Sequence, residues 1–226
     1  MLKAVIFDLD GTLLYTLQDL TNAVNTGLLA ADMPQRTTEE IRGFVGNGVA
    51  MLIARAIQGG KENPEYNMIL STFREYYKDH CSDNTVPYDG IPSLLSRLKN
   101  AGIKTAVTSN KLDSAVKVLC SDFFPELIDT AIGDMDGQQR KPAPDMLYKA
   151  MDILNVNRDE VIYVGDSEVD IVTAKNAGLK CISVSWGFKD REFLVANKAE
   201  VIVDNVEELE QYIWKNTDIK SNTPQE

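Results

Sequence analysis

A chain of 226 residues, 44% hydrophobic and 25% charged, has the make-up of a globular protein with room for one α/β domain and a smaller insert. Its net charge of −11 disfavours nucleic acid and anionic membrane as partners, because the summed field repels both. No run reaches the roughly 18 apolar residues of a membrane span, and the start MLKAVIFDLDG is not a signal sequence, so a cytoplasmic protein is expected.

Cys81, Cys120 and Cys181 lie far apart with no CxxC pair, which points to buried free thiols rather than a disulfide framework or a zinc site. His80 is the one histidine. General acid and base work must therefore fall to carboxylates or lysine.

In chain order, the apolar run Ala4, Val5, Ile6, Phe7 ends at Asp8 and suits a strand buried on both faces. The stretch 16–82 then reads as helical throughout. It holds helices at 17–31, at 39–57 behind a capping box of Thr37 and Glu40, and at 66–81. Residues 83–90, with Pro87 and Gly90, look like a return linker. Helix 93–100 carries Leu94, Leu95 and Leu98 on one face and stops at Gly102. Apolar strand runs follow at 105–108, 161–164 and 181–184, with helices at 144–154 and 169–177 between them. This alternation predicts a Rossmann-like α/β fold, a parallel sheet with helices on both faces. A small all-helical cap is inserted after the first strand: 1–15 and 83–226 form the core, 16–82 the cap. The residues from about 217 onward read as a polar, frayed tail.

Open parallel sheets bind ligands at the carboxyl ends of their strands. There the sequence places Asp8-Leu9-Asp10-Gly11-Thr12, Ser109-Asn110-Lys111, Lys141-Pro142, and the segment from Gly165-Asp166 to Asp170. Each alone has an ordinary explanation: a turn, a helix cap, a solvated loop. Together they crowd Asp8, Asp10, Asp166 and Asp170 onto one rim. Two like charges 4 Å apart cost about 4 kcal/mol at an effective dielectric of 20. Such a cluster calls for a cation, and an all-oxygen ligand set selects a hard one such as Mg²⁺. Lys141 adds a second positive charge.

With these segments in order, the chain resembles the phosphatases of the haloacid dehalogenase superfamily over nearly its whole length. The resemblance rests on DLDGT at 8–12, TSN at 108–110, the lysine of RKPAPD at Lys141 and GDSEVD at 165–170. FVGNGV at 44–49, TSNK at 108–111 and VSWGFKDRE at 184–192 resemble the phosphoglycolate phosphatase group. Tyr15 is a departure, since relatives often carry an acidic residue in this loop.

The resemblance implies a phosphatase in which Asp8 attacks phosphorus and Asp10 serves as acid and then base. Mg²⁺ would be held by Asp8, Asp166 and the Asp10 carbonyl. Thr12, Ser109, Asn110 and Lys141 would bind the phosphate, with Gly11 and Asp170 in support. In the cap, Gly46-Asn47 could meet an anion and Arg42 a substrate carboxylate. The expected partner is a small phosphorylated metabolite, and the chain a monomer or homodimer. A phosphomutase, pyrophosphatase or nucleotidase would fit the same core. Asp10 argues against a dehalogenase. Lys61 and Lys78, in polar settings, argue against a Schiff-base phosphonate hydrolase.

Overall fold

The computed structural model describes residues 1–135 and 137–217; the expected tail after 217 lies outside them. Strand β1 (Ala4–Phe7) is fully buried at every residue because both faces are covered. Ala4 and Ile6 pack against helices α7 (Asp145–Leu154) and α8 (Glu168–Ala177). Val5 and Phe7 share the opposite core with helices α5 (Ile91–Asn100), α6 (Asp113–Phe123) and α10 (Val206–Lys215). The unbroken apolar run follows from that two-sided burial.

Among the described residues the sheet has six strands in the order β5-β4-β1-β6-β7-β8, all parallel. Its other members are β4 (Lys104–Leu112), β5 (Thr130–Asp134), β6 (Val161–Gly165), β7 (Lys180–Val184) and β8 (Ile202–Val203). The expected Rossmann-like sheet is present. The edge strands β5 and β8 are short and only partly buried, and the brief apolar runs Ala131-Ile132 and Val201-Ile202-Val203 are too short to mark them. Phe7 pairs with Val107 on one side and Val164 on the other. One residue beyond Phe7, and two beyond Val107 and Val164, Asp8, Ser109 and Asp166 emerge at the same rim. The chain crosses from β1 in both directions there, the switch point at which parallel sheets open a crevice.

The insert consists of α1 (Leu17–Ala30), α2 (Thr38–Phe44), α3 (Val49–Ala56) and α4 (Tyr66–His80). Helices α1 and α4 lie close enough that a Cβ on Gly27 would stand 2.9 Å from the Ile69 carbonyl oxygen. The Thr37–Glu40 capping box forms as expected. The single helix expected over 39–57 is two. Val45 turns extended, and Gly46 and Gly48 take positive φ values of 136° and 81°, so the backbone leaves α2 and restarts as α3.

The return linker is also more ordered than expected. β2 (Leu14–Tyr15) and β3 (Val86–Pro87) pair antiparallel. Beside them the buried Asp19 carboxylate accepts from the Asn84 backbone N–H, Asn84 Nδ2 and Thr85 Oγ1, all within 3.0 Å. Among the described residues no helix is long and apolar enough to cross a membrane.

Candidate active site

The four sequence segments converge at one rim of the sheet. Asp8, Asp10, Ser109, Asn110, Lys141 and Asp166 line one cleft, of about 710 Å³ counted to its open mouth. Leu20, Val45, Gly46, Val49, Leu52 and Tyr77 of the helical insert close its other wall.

Lys141 Nζ is the electrostatic centre. It lies 2.9 Å from Asp8 Oδ1, 2.8 Å from Asp170 Oδ1 and 2.9 Å from the Tyr163 hydroxyl, with 4% of its surface exposed. Burial opposes its charge, but Asp170 and then Asp8 outweigh that and hold the amine well above the ordinary lysine range.

Asp170 accepts from Lys141 and Tyr163 on one oxygen and from the Ser167 hydroxyl and N–H on the other. Burial pushes its pKa up, yet Lys141 and these donors outweigh it and hold it below the usual carboxylate range. With both oxygens filled, Asp170 anchors Lys141 and leaves Asp8 and Asp166 as the carboxylates available to a ligand.

Asp8 has no such shell. Its Oδ1 is buried and receives no well-directed hydrogen bond. Burial pushes its pKa up to about 7, Lys141 pulling against that and Asp170 adding to it. Asp166 is raised well above the carboxylate range by burial, then by Asp170 and Asp8. It accepts from Phe188 N–H at 2.8 Å and from Thr12 Oγ1 at 3.3 Å. A Cβ on Gly11 would overlap its carboxylate, so glycine there clears space for it.

Oxygens of Asp8, Asp166 and Asp170 lie within 4.8 Å of one another. With every group ionised, four carboxylates at this rim (Asp8, Asp10, Asp166, Asp170) face two buried ammonium groups (Lys111, Lys141), two negative charges in excess. An uncompensated buried carboxylate pair is costly. A hard divalent cation fits this donor set and this excess charge.

The remaining expected residues divide. Asn110 lines the cleft but also locks the lysine loop, its Oδ1 accepting from Lys141 N–H and its Nδ2 donating to the Lys141 carbonyl. Ser109 Oγ accepts from Lys111 N–H at 3.3 Å. Thr12 points at Asp166 and lies outside the cleft lining. Gly46 lines the cleft, while Asn47 Oδ1 accepts from Arg55. Arg42 donates to the backbone carbonyls of Phe188 and Gly187 rather than facing the cavity. Tyr15 makes edge contacts with Tyr88 and Phe188. Lys61 and Lys78 are exposed.

Two contributors have roles that the sequence does not reveal. Lys111, placed at the rim beside Ser109 and Asn110 without a role, carries a buried ammonium paired with Asp10. Tyr163 sits inside an apolar strand run, and nothing there signals that its hydroxyl reaches Lys141 and Asp170.

A buried lysine among aspartates at the switch point of a parallel sheet is an arrangement that an anionic ligand and a hard cation would fit. The chain belongs to the haloacid dehalogenase-like hydrolase family, whose profile matches residues 5–184. It is 30% identical over 213 residues to phosphoglycolate phosphatase 1 of Pseudomonas aeruginosa, covering 92% of this chain and 78% of that one. It is 31% identical over 210 residues to the N-acetylmuramic acid 6-phosphate phosphatase of the same organism, covering 92% and 93%. The crystal structure of a Lactobacillus delbrueckii subsp. bulgaricus protein assigned as a phosphoglycolate phosphatase superposes with a TM-score of 0.87 at 40% identity, covering 93% of this chain and 98% of that one.

Proposed function

We propose that this hydrolase is a Mg²⁺-dependent phosphatase that cleaves a small phosphomonoester of the phosphoglycolate kind through an aspartyl-phosphate on Asp8. The carrying observation is the Asp8 carboxylate, which lines the cleft, has no directed hydrogen bond on its buried Oδ1 and keeps Lys141 2.9 Å from that oxygen. Such a carboxylate is a nucleophile whose developing partner charge already has a counter-ion.

Asp8 forms a bond to phosphorus as the ester P–O bond breaks, and Asp10 gives a proton to the departing oxygen. Asp10 then takes a proton from water, which attacks the same phosphorus and frees Asp8 and inorganic phosphate. Lys141, Ser109 and Asn110 neutralise and orient the transferring oxygens. Asp8, Asp166 and the Asp10 carbonyl would hold Mg²⁺, which when bound supplies positive charge to the transferring group. Residues 16–82 act as a cap on a core of 1–15 and 83–226, excluding water while the phosphoryl group moves.

The test is phosphate release from phosphoglycolate and N-acetylmuramic acid 6-phosphate in the presence of Mg²⁺, with wild type and Asp8→Asn. Wild type should turn over one of them and the variant should lose at least about 10³-fold. Turnover retained in Asp8→Asn would end the covalent role.

A further inference from the structure

Arg42 stands in α2, in the helical insert, yet its donors leave the insert for a loop of the core. Nε donates to the Phe188 carbonyl at 2.8 Å and Nη2 approaches the Gly187 carbonyl at 3.4 Å. The Gly187 carbonyl and the Phe188 N–H belong to one peptide group, and that N–H donates to Asp166 Oδ2 at 2.8 Å. A guanidinium, one peptide and a carboxylate thus form a chain. Each hydrogen bond in such a chain polarises the next. The positive charge on Arg42 makes the Phe188 N–H a stronger donor and fixes the carboxylate it serves.

The loop is built for this contact. Trp186 Nε1 donates to the Thr12 carbonyl at 3.2 Å. At Gly187 an added Cβ would overlap Asp166 and the Gly11 carbonyl, so this backbone lies directly on the aspartate. The Phe188 ring lines the cleft and meets Tyr15 of β2, the strand that leads into the insert.

We infer that Arg42 is a positioning residue: seated on the Gly187–Phe188 peptide, it transmits the placement of the helical insert to Asp166 and tightens the cation site when the insert is closed. This rests on the proposed cation site and goes beyond it, since that proposal leaves Asp166 indifferent to the insert.

The experiment is calorimetric titration of the full chain with Mg²⁺ and no substrate, for wild type, Arg42→Ala, Arg42→Lys and Glu39→Gln. Outer partners of a metal ligand typically govern about 10–100-fold in affinity. Arg42→Ala should weaken Mg²⁺ about tenfold and Arg42→Lys by less, because an ammonium cannot span both carbonyls. Glu39, whose carboxylate is 3.9 Å from Arg42 and mostly solvated, should leave affinity unchanged when made Gln.

Wild-type Mg²⁺ affinity in Arg42→Ala, with only a raised KM for a carboxylate-bearing ester, would overturn the inference and make Arg42 a substrate contact. If Arg42→Ala does not fold, Arg42→Lys decides: affinity equal to wild type overturns the inference, and a loss of threefold or more supports it. A wild type that binds no Mg²⁺ would instead remove the cation site itself, a separate failure.

Discussion

Lys111 Nζ lies 2.8 Å and 3.0 Å from the two carboxylate oxygens of Asp10, and Thr16 Oγ1 stands 2.6 Å from the first of them. Asp10 must leave these donors before it can hand a proton to a departing oxygen. The lysine is buried, its ammonium 4.7 Å from the centre of the Tyr77 ring, and Asp10 and then Tyr77 outweigh burial in holding it charged.

Replacing Lys111 by Met should therefore cost stability beyond the range of a surface pair. Removing one partner of a buried ion pair typically costs about 3–5 kcal/mol. Asp10 keeps some contact with solvent, so the lower end is expected, read by urea denaturation. A loss under about 1 kcal/mol would show that the pair behaves as a surface one.

Stability without metal should fall as pH rises. Folding raises Asp8 from 3.8 to about 7, so the folded chain keeps a proton that the unfolded chain gives up within that window. The folded state binds more protons there, and stability declines from about pH 4 to pH 7 by an amount on the order of a few kcal/mol. Asp166, also raised, acts with the same sign, while Asp170, lowered, acts against it. The melting temperature in EDTA between pH 5 and 8 checks this. Asp8→Asn should flatten the slope, and a rising wild-type curve would contradict the reading.

Chelation should silence phosphate release, and Mg²⁺ should restore it while raising the melting temperature. A ligand at 100 times its Kd contributes about 2.7 kcal/mol to a folded state that alone binds it. Titrating Mg²⁺ into EDTA-treated protein during a thermal scan separates this from an indirect effect on the assay.

Gly187→Ala is a severe change for a single methyl group. The new carbon would overlap the Asp166 side chain and the Gly11 carbonyl, and both neighbours are fixed. Overpacking of this kind costs about 1–3 kcal/mol. Because it displaces Asp166, activity should fall at least about a hundredfold while circular dichroism stays native.

The sheet and the site segments were legible because β1 and β6 are apolar runs that stop at polar residues, and β4 and β7 carry shorter stretches rich in β-branched and small residues. Sheet geometry then dictates that their ends meet. β5 and β8 were not legible, since an edge strand with one covered flank needs no continuous apolar run. The break between α2 and α3 was written in Gly46 and Gly48, but an apolar periodicity running across them reads as one helix. Arg42 shows the other limit: sequence identifies a cation in the insert but not which carbonyl 146 positions away will receive it. Lys111 could be placed at the rim, but its pairing with Asp10, 101 positions off, is not written in the sequence.

Asp19 grips Asn84 and Thr85 across the two strands that lead into and out of the helical segment. The ends of a stretch of more than sixty residues are thereby brought to one point. Closing so small a gap in the core asks little loop entropy of whatever chain spans it. A graft of another helical bundle between residues 20 and 83 would keep this clamp and alter which molecules reach the aspartates while leaving the strand order beneath them untouched.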